Sequence, residues 1–163
     1  MRAANIEVTA PFDGSKIGEV PVSSAEDVEN ALAKAYALYR NKDGWIPLPD
    51  RLDILRRAAE IIKQRREELA LQAAREGGKP LADSLVELDR AADGVKNCVE
   101  VMRAECGDVV PMGINPASLG HVAFTQREPI GVVVAVSAFN HPFNLIVHQV
   151  TPAVATGCPV IVK

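Results

Sequence analysis

Residues Arg127 to Lys163 read REPIGVVVAVSAFNHPFNLIVHQVTPAVATGCPVIVK. Within them, Ile130 to Val136 form an unbroken apolar, largely β-branched run, the pattern of a strand buried on both faces of a parallel sheet. A helix is expected over residues 144–156, with Asn144 as its N-cap and Gly157 closing it. Pro159 to Lys163 then begin a second buried strand. Strand, helix and strand with a right-handed crossover make the opening unit of a doubly wound, Rossmann-like α/β sheet. Two apolar strands alone expose unpaired N–H and C=O rows. Further strands, from a longer chain or from a partner, are therefore expected to complete this sheet, and the unit reads as incomplete.

Upstream the chain is mostly helical. Ile6 to Val22 read as a hairpin around the turn pair Asp13-Gly14. Ser24, followed by Glu26 and Asp27, predicts a helix start, and Val28, Leu32, Ala35 and Leu38 carry that helix to about Asn41. From Asp50 a second tract places Leu52, Leu55, Ala58, Ile61 and Ile62 opposite Arg51, Arg56, Lys63 and Arg66. It is expected to run unbroken to Arg75 and to stop at Gly77-Gly78, with Pro80 just beyond. A third long helix is predicted over residues 81–105, with Asp83, Glu87 and Arg90 on a solvated face and Gly107 ending it. The following stretch is rich in proline and glycine and reads as an extended arm. The expected division is thus 1–107 (hairpin and long helices packing on the sheet unit), 108–128 (arm) and 129–163 (start of the sheet).

Composition narrows the function. With 48% hydrophobic and 24% charged residues the chain has the balance of a soluble globular protein, and its net charge of −3 offers no basic field for nucleic acid. Cys98, Cys106 and Cys158 are an odd number without CxxC spacing, so neither a disulfide framework nor a metal site is expected, and all three read as small packing groups. His141 and His148 read as packing or surface residues, since two histidines alone do not make a metal site. The longest apolar run is too short to span a bilayer, and the opening residues lack the apolar core of an export signal. A cytoplasmic location without membrane partners is the expectation.

In an open parallel sheet, ligands bind at the carboxyl ends of the strands, which here means the turn from Val136 to Asn140. That turn lacks GxGxxG, so a nucleotide-binding reading from the residues alone rests on architecture. Lys163 ends the second strand, where a conventional dinucleotide-binding protein has an acid on the ribose. A lysine donates instead of accepting, which leaves ribose hydroxyls and a 2′-phosphate both open as its partner. Asn140 suits a tight turn or a helix cap as readily as a reacting site.

The same stretch resembles the aldehyde dehydrogenase superfamily. The motifs that carry the resemblance are Pro129-Ile130-Gly131-Val132, the aromatic-Asn-x-Pro turn Phe139-Asn140-His141-Pro142, Pro152-Ala153-Val154-Ala155-Thr156-Gly157 and the strand ending in Lys163. Glu76-Gly77-Gly78-Lys79-Pro80 stands where the family usually has Glu-Thr-Gly-Lys-Pro, and the likeness runs collinearly through the whole chain. The resemblance implies the amino-terminal part of that fold, with NAD or NADP lying along Val136, Ser137, Ala138 and Phe139 and contacting Lys163. It implies that Asn140 stabilises the oxyanion formed when a cysteine thiolate adds to an aldehyde. The route to the acid then passes through a thiohemiacetal and a thioester, with the cysteine and the glutamate base beyond Lys163, so the chain alone is expected to be inactive. Ser-Ala-Phe-Asn-His-Pro is similar to branches acting on phosphonoacetaldehyde, lactaldehyde or semialdehydes, which makes His141 and Arg103 candidate contacts for a small, anionic aldehyde. The arm implies a homodimer or homotetramer. A non-catalytic nucleotide-binding module and a coenzyme A-acylating dehydrogenase remain the alternatives.

Overall fold

The computed structural model describes residues 5–163. Strands β1 (Asn5–Thr9) and β2 (Lys16–Pro21) pair antiparallel, and Gly14 takes a positive φ in the turn between them. Helix α1 (Ala25–Arg40) opens on a reciprocal cap: the Ser24 hydroxyl accepts from the Asp27 N–H while the Asp27 carboxylate accepts from the Ser24 N–H. Two N–H groups that the first turn would leave orphaned are thereby satisfied.

The amphipathic tract departs from expectation at both its start and its middle. Helix α2 (Leu48–Gln64) begins ahead of Asp50 because Pro49 sits in its first turn, where a missing N–H breaks no helical bond. At Arg65 the backbone opens to φ −99°, ψ 14°, and a separate helix α3 (Arg66–Gly77) follows. That bend lets Ala70 and Ala73 bury, while the Arg66 guanidinium grips both carboxylate oxygens of Asp89 at 2.6 and 2.7 Å. The buried stripe of α2 is Leu52, Leu55, Ala59 and Ile62, whereas Ile61 is half exposed. Gly78 ends α3 at φ +64°, and a Cβ there would lie 2.7 Å from Pro11 Cγ. Gly78→Ala is accordingly expected to destabilise the protein by about 1 kcal/mol or more through left-handed strain and overlap. An unchanged thermal midpoint would refute this.

Helix α4 (Leu81–Ala104) is the central element and packs on α2, α3 and the later helix α5 (Pro142–Thr156). One hydrophobic core joins Leu52, Leu55, Ala59, Ile62 and Ala70 to Leu88, Ala92, Val95, Val99 and Ala155. The long helices and the helix of the sheet unit therefore share a core. Between them, residues 108–128 hold more order than an irregular arm: β3 (Val109–Val110) pairs antiparallel with β4 (Ala123–Phe124) around a 3₁₀ turn at Pro116–Ser118. Val109, Ile114, Val122 and Phe124 stand exposed on this ribbon. Gly107 ends the approach to it, since a Cβ there would overlap the Thr125 carbonyl oxygen.

Strands β5 (Val133–Ala135) and β6 (Val160–Val162) pair in parallel on either side of α5. Only three residues of the apolar run form β5, and of these only Ala135 is fully buried; Ile130, Val134 and Val136 are exposed. A strand with one neighbour keeps an open edge, and α1 and α5 pack on this sheet. Among the described residues no helix is long and apolar enough to cross a membrane.

Candidate active site

The carboxyl ends of β5 and β6 are tied together by main-chain bonds. The Lys163 N–H donates to the Ala135 carbonyl (2.9 Å) and the Ser137 N–H to the Lys163 carbonyl (3.2 Å). Val136, Ser137, Ala138, Phe139 and Lys163 are thus brought to one rim, with Val136, Phe139 and Lys163 exposed and Ser137 and Ala138 half-buried. The Ser137 hydroxyl donates to the Pro142 carbonyl at 3.0 Å, and the Gln149 amide donates to the Val136 carbonyl at 2.9 Å. These bonds fix the turn from both sides. Apolar surface beside a single cation fits a ligand with flat rings, hydroxyls and phosphate, such as a dinucleotide.

Asn140 follows on the exposed turn between β5 and α5, and its own side chain is not the helix cap. Neither is that of Asn144. The helix starts at Pro142 with His141 at the N-cap position, so Asn144 lies inside the first turn, buried, with its Oδ1 unpartnered. The capping work is done from another element. Glu87, fully buried on α4, accepts through Oε1 from the N–H groups of Phe143 (2.7 Å) and Asn144 (2.9 Å). A carboxylate there satisfies two orphan donors and meets the positive end of the helix dipole. At the opposite end the Arg51 guanidinium donates to the Ala155 carbonyl, and Gly157 takes the left-handed closing conformation at φ +82°.

Glu87 is also ion-paired. Its Oε2 accepts from the Lys79 ammonium, which reaches the Asn140 carbonyl at 3.4 Å and His141 Nδ1 at 3.3 Å; the Lys79 side chain is 13% exposed and that of Glu87 0%. Burial pushes the Glu87 carboxyl up. The Lys79 hydrogen bond, the Asn144 N–H, the Lys79 charge and the Phe143 N–H together outweigh burial and hold it below the ordinary glutamate value. A depressed folded-state pKa contributes stability that is present above the unfolded glutamate value and is lost as pH falls through the folded one. The stability difference between wild type and Glu87→Gln is therefore expected to hold steady near neutrality and shrink on acidification, as read by urea midpoints between pH 7 and about 3. A difference independent of pH would contradict it.

Several residues sit elsewhere than the sequence reading put them. Glu87 is no part of a solvated face. The buried stripe Leu88, Ala91, Ala92, Val95 and Val99, extended back by three or four residues, reaches Ser84 and Glu87, and that periodicity was the available signal. Lys79, read only within the Glu76-Gly77-Gly78-Lys79-Pro80 resemblance and given no role there, is the second missed residue; that motif was the one available signal. His141 is neither simple packing nor free surface, because its ring nitrogen faces Lys79 and Glu87 Oε2, the latter at 3.6 Å. His148 is exposed on α5 beside Gly94. Arg103 is exposed on the last turn of α4, about 24 Å of helical rise beyond Glu87, so the fold does not bring it to Asn140. Cys158 is buried and Cys98 half-buried, whereas Cys106 is exposed and packs against no core. Burial raises the Cys98 thiol above its ordinary pKa, which disfavours a thiolate. Among the described residues no histidine, cysteine and carboxylate cluster could hold a metal ion.

Known proteins agree with this architecture. The family model for the aldehyde dehydrogenase family matches residues 1–163. A 3-sulfolactaldehyde dehydrogenase from Priestia megaterium is 34% identical over 161 residues, covering 99% of this chain and 33% of that protein. An NADP-dependent glyceraldehyde-3-phosphate dehydrogenase from Streptococcus equinus is 33% identical, with 97% and 33% covered. Among solved structures, aldehyde dehydrogenase 21 from Physcomitrella patens, in complex with succinate, superposes with a TM-score of 0.91 at 29% identity over 99% of this chain and 33% of that one. Glyceraldehyde-3-phosphate dehydrogenase from Methanocaldococcus jannaschii, complexed with NADP, gives 0.84 at 31% identity over 99% and 33%. The chain spans about a third of the length of these relatives. Both the sheet unit and the helices that carry its rim are those of the aldehyde dehydrogenase family, to which this chain belongs.

Proposed function

We propose that this chain forms the cofactor rim and oxyanion donor of an NAD(P)-dependent enzyme that oxidises a small, anionic aldehyde to its acid. The observation that carries the reading is the exposed turn bearing Asn140, at the carboxyl end of a parallel strand and held from beneath by a buried ion pair. Attack of a thiolate on an aldehyde carbonyl leaves a full negative charge on oxygen, and a fixed amide N–H about 3 Å away stabilises that charge as it forms. Asn140 supplies that donor in a thiohemiacetal-to-thioester route. The cysteine nucleophile and the glutamate base are assigned to residues other than those of this chain, since Cys98 lies within α4, Cys106 just after it and Cys158 buried between α5 and β6, all away from the Asn140 turn.

Val136, Ser137, Ala138 and Phe139 would line one side of the dinucleotide, and Lys163 would donate to ribose hydroxyls or to a 2′-phosphate, so NAD and NADP both fit. The chemistry that cofactor supplies when bound is acceptance of a hydride. We assign His141, next in sequence to Asn140, a substrate contact; Arg103, at the far end of α4, is left out. The anionic class is supported by relatives named for sulfolactaldehyde and glyceraldehyde 3-phosphate. The exposed apolar ribbon of β3 and β4 supports assembly into a homodimer or homotetramer, and a cytoplasmic setting accords with the free cysteines.

The test is a coupled assay of the intact protein with sulfolactaldehyde, glyceraldehyde 3-phosphate and succinic semialdehyde, following reduced nicotinamide. Turnover by the intact protein and none by residues 1–163 alone is expected. Absence of aldehyde-dependent reduction with all three, or turnover by this chain alone, would overturn the reading.

A further inference from the structure

We propose that Glu87 and Lys79 are positioning residues for Asn140: the buried pair locks the first turn of α5 and the Asn140 carbonyl, and so fixes where the Asn140 amide points. This inference rests on the oxyanion reading of Asn140 and adds residues that reading does not need.

Three observations converge on it. Glu87 is fully buried, yet both its oxygens are used, Oε1 by the N–H groups of Phe143 and Asn144 and Oε2 by Lys79. Lys79 spans from that carboxylate to the Asn140 carbonyl and the His141 ring, so a single ammonium clamps the residue carrying the amide and the one after it. Both members of the pair come from outside the turn: Lys79 precedes α4, Glu87 is on α4, and α4 is set in the main core by Leu88, Val95 and Val99. The turn itself has no side-chain cap of its own, since His141 makes none. Remote packing is thereby transmitted to the amide through one carboxylate. A hydrophobic replacement of equal size would fill the space without holding the two N–H groups, and small misplacements of a catalytic donor cost rate steeply.

The experiment is a double-mutant cycle in the intact protein, with Glu87→Gln and Asn140→Ala alone and together. Glu87→Gln keeps the shape and one acceptor but loses the charge that holds Lys79. It is expected to lower kcat on the order of tenfold to a hundredfold with KM for the dinucleotide unchanged. In the Asn140→Ala background the same change is expected to cost less than about twofold, because residues acting as a unit are not additive. Equal factors in both backgrounds would mean a general structural role and would overturn the proposal, as would no loss in kcat from Glu87→Gln. Should Glu87→Gln fail to fold, Lys79→Met, which leaves both N–H bonds to Glu87 in place, enters the same cycle with the same expectation. If Asn140→Ala by itself leaves turnover intact, the oxyanion reading fails first; if it cripples turnover while Glu87→Gln does not, only the positioning role fails.

Discussion

Asn140→Ala in the intact protein is expected to lower kcat by about a hundredfold or more, with the dinucleotide's Kd unchanged. Removing one oxyanion donor costs roughly 3 kcal/mol of transition-state stabilisation, because a preorganised amide meets charge that exists only once the carbonyl is attacked. The ground-state carbonyl gains much less from it, so the loss falls on turnover and not on affinity. Asn140 is suited to being altered cleanly. It is exposed, its side chain caps no helix, and its structural bond runs through the main-chain carbonyl to Lys79, which alanine keeps. Steady-state kinetics beside calorimetric cofactor titration distinguish the outcomes. A rise in KM with kcat preserved would assign Asn140 to binding instead of to the reaction.

The second large effect belongs to the core. Leu88 is 1% exposed at the centre of α4, in the cluster that joins α2, α3 and α5. Leu88→Ala is expected to destabilise the protein by about 3 kcal/mol, from lost transfer free energy plus the cavity left behind. Ile61→Ala, at a side chain 51% exposed on α2, is expected to cost less than about 1 kcal/mol. Urea unfolding of both variants measures the contrast through midpoints at constant slope. Equal losses would contradict the assignment of the buried stripe to Leu52, Leu55, Ala59 and Ile62. Because α4 also carries Glu87, a loosened Leu88 site is expected to lower kcat alongside stability.

What the sequence made legible was local in character. Ser24 with Asp27, Gly78 and Gly157 each announce an element's end by a conformational requirement that few other residues meet, and the structure puts each of them there. The parallel unit was readable from the run Ile130 to Val136, because it is short, rich in β-branched residues and preceded by Pro129, which together favour a buried strand over a helix. Features set by distant partners were not readable. Whether Glu87 faces water or the α5 N-terminus depends on which helix lies across from it, and Lys79 has meaning only once Glu87 is buried. Asn144 was placed as a cap because asparagine favours that position, but Pro142 can occupy the first helical turn without losing a helical bond, which moves the start two residues earlier. Pro49 misled the start of α2 in the same way. The bend at Arg65 follows from α3 docking on α4, which no window around Arg65 contains. Of the site residues, the rim from Val136 to Phe139 and Lys163 follows from strand order, whereas Arg103 was placed by charge alone and the fold sends it elsewhere.

The most direct test of the central claim is a crystal structure of the intact protein, with the cysteine that the proposed reaction requires replaced by alanine and a small anionic aldehyde bound. The Asn140 amide nitrogen is predicted to lie about 3 Å from the aldehyde oxygen, with Lys79 still on the Asn140 carbonyl. An aldehyde seated with its oxygen beyond hydrogen-bond reach of Asn140, or held by a different donor, would contradict the account.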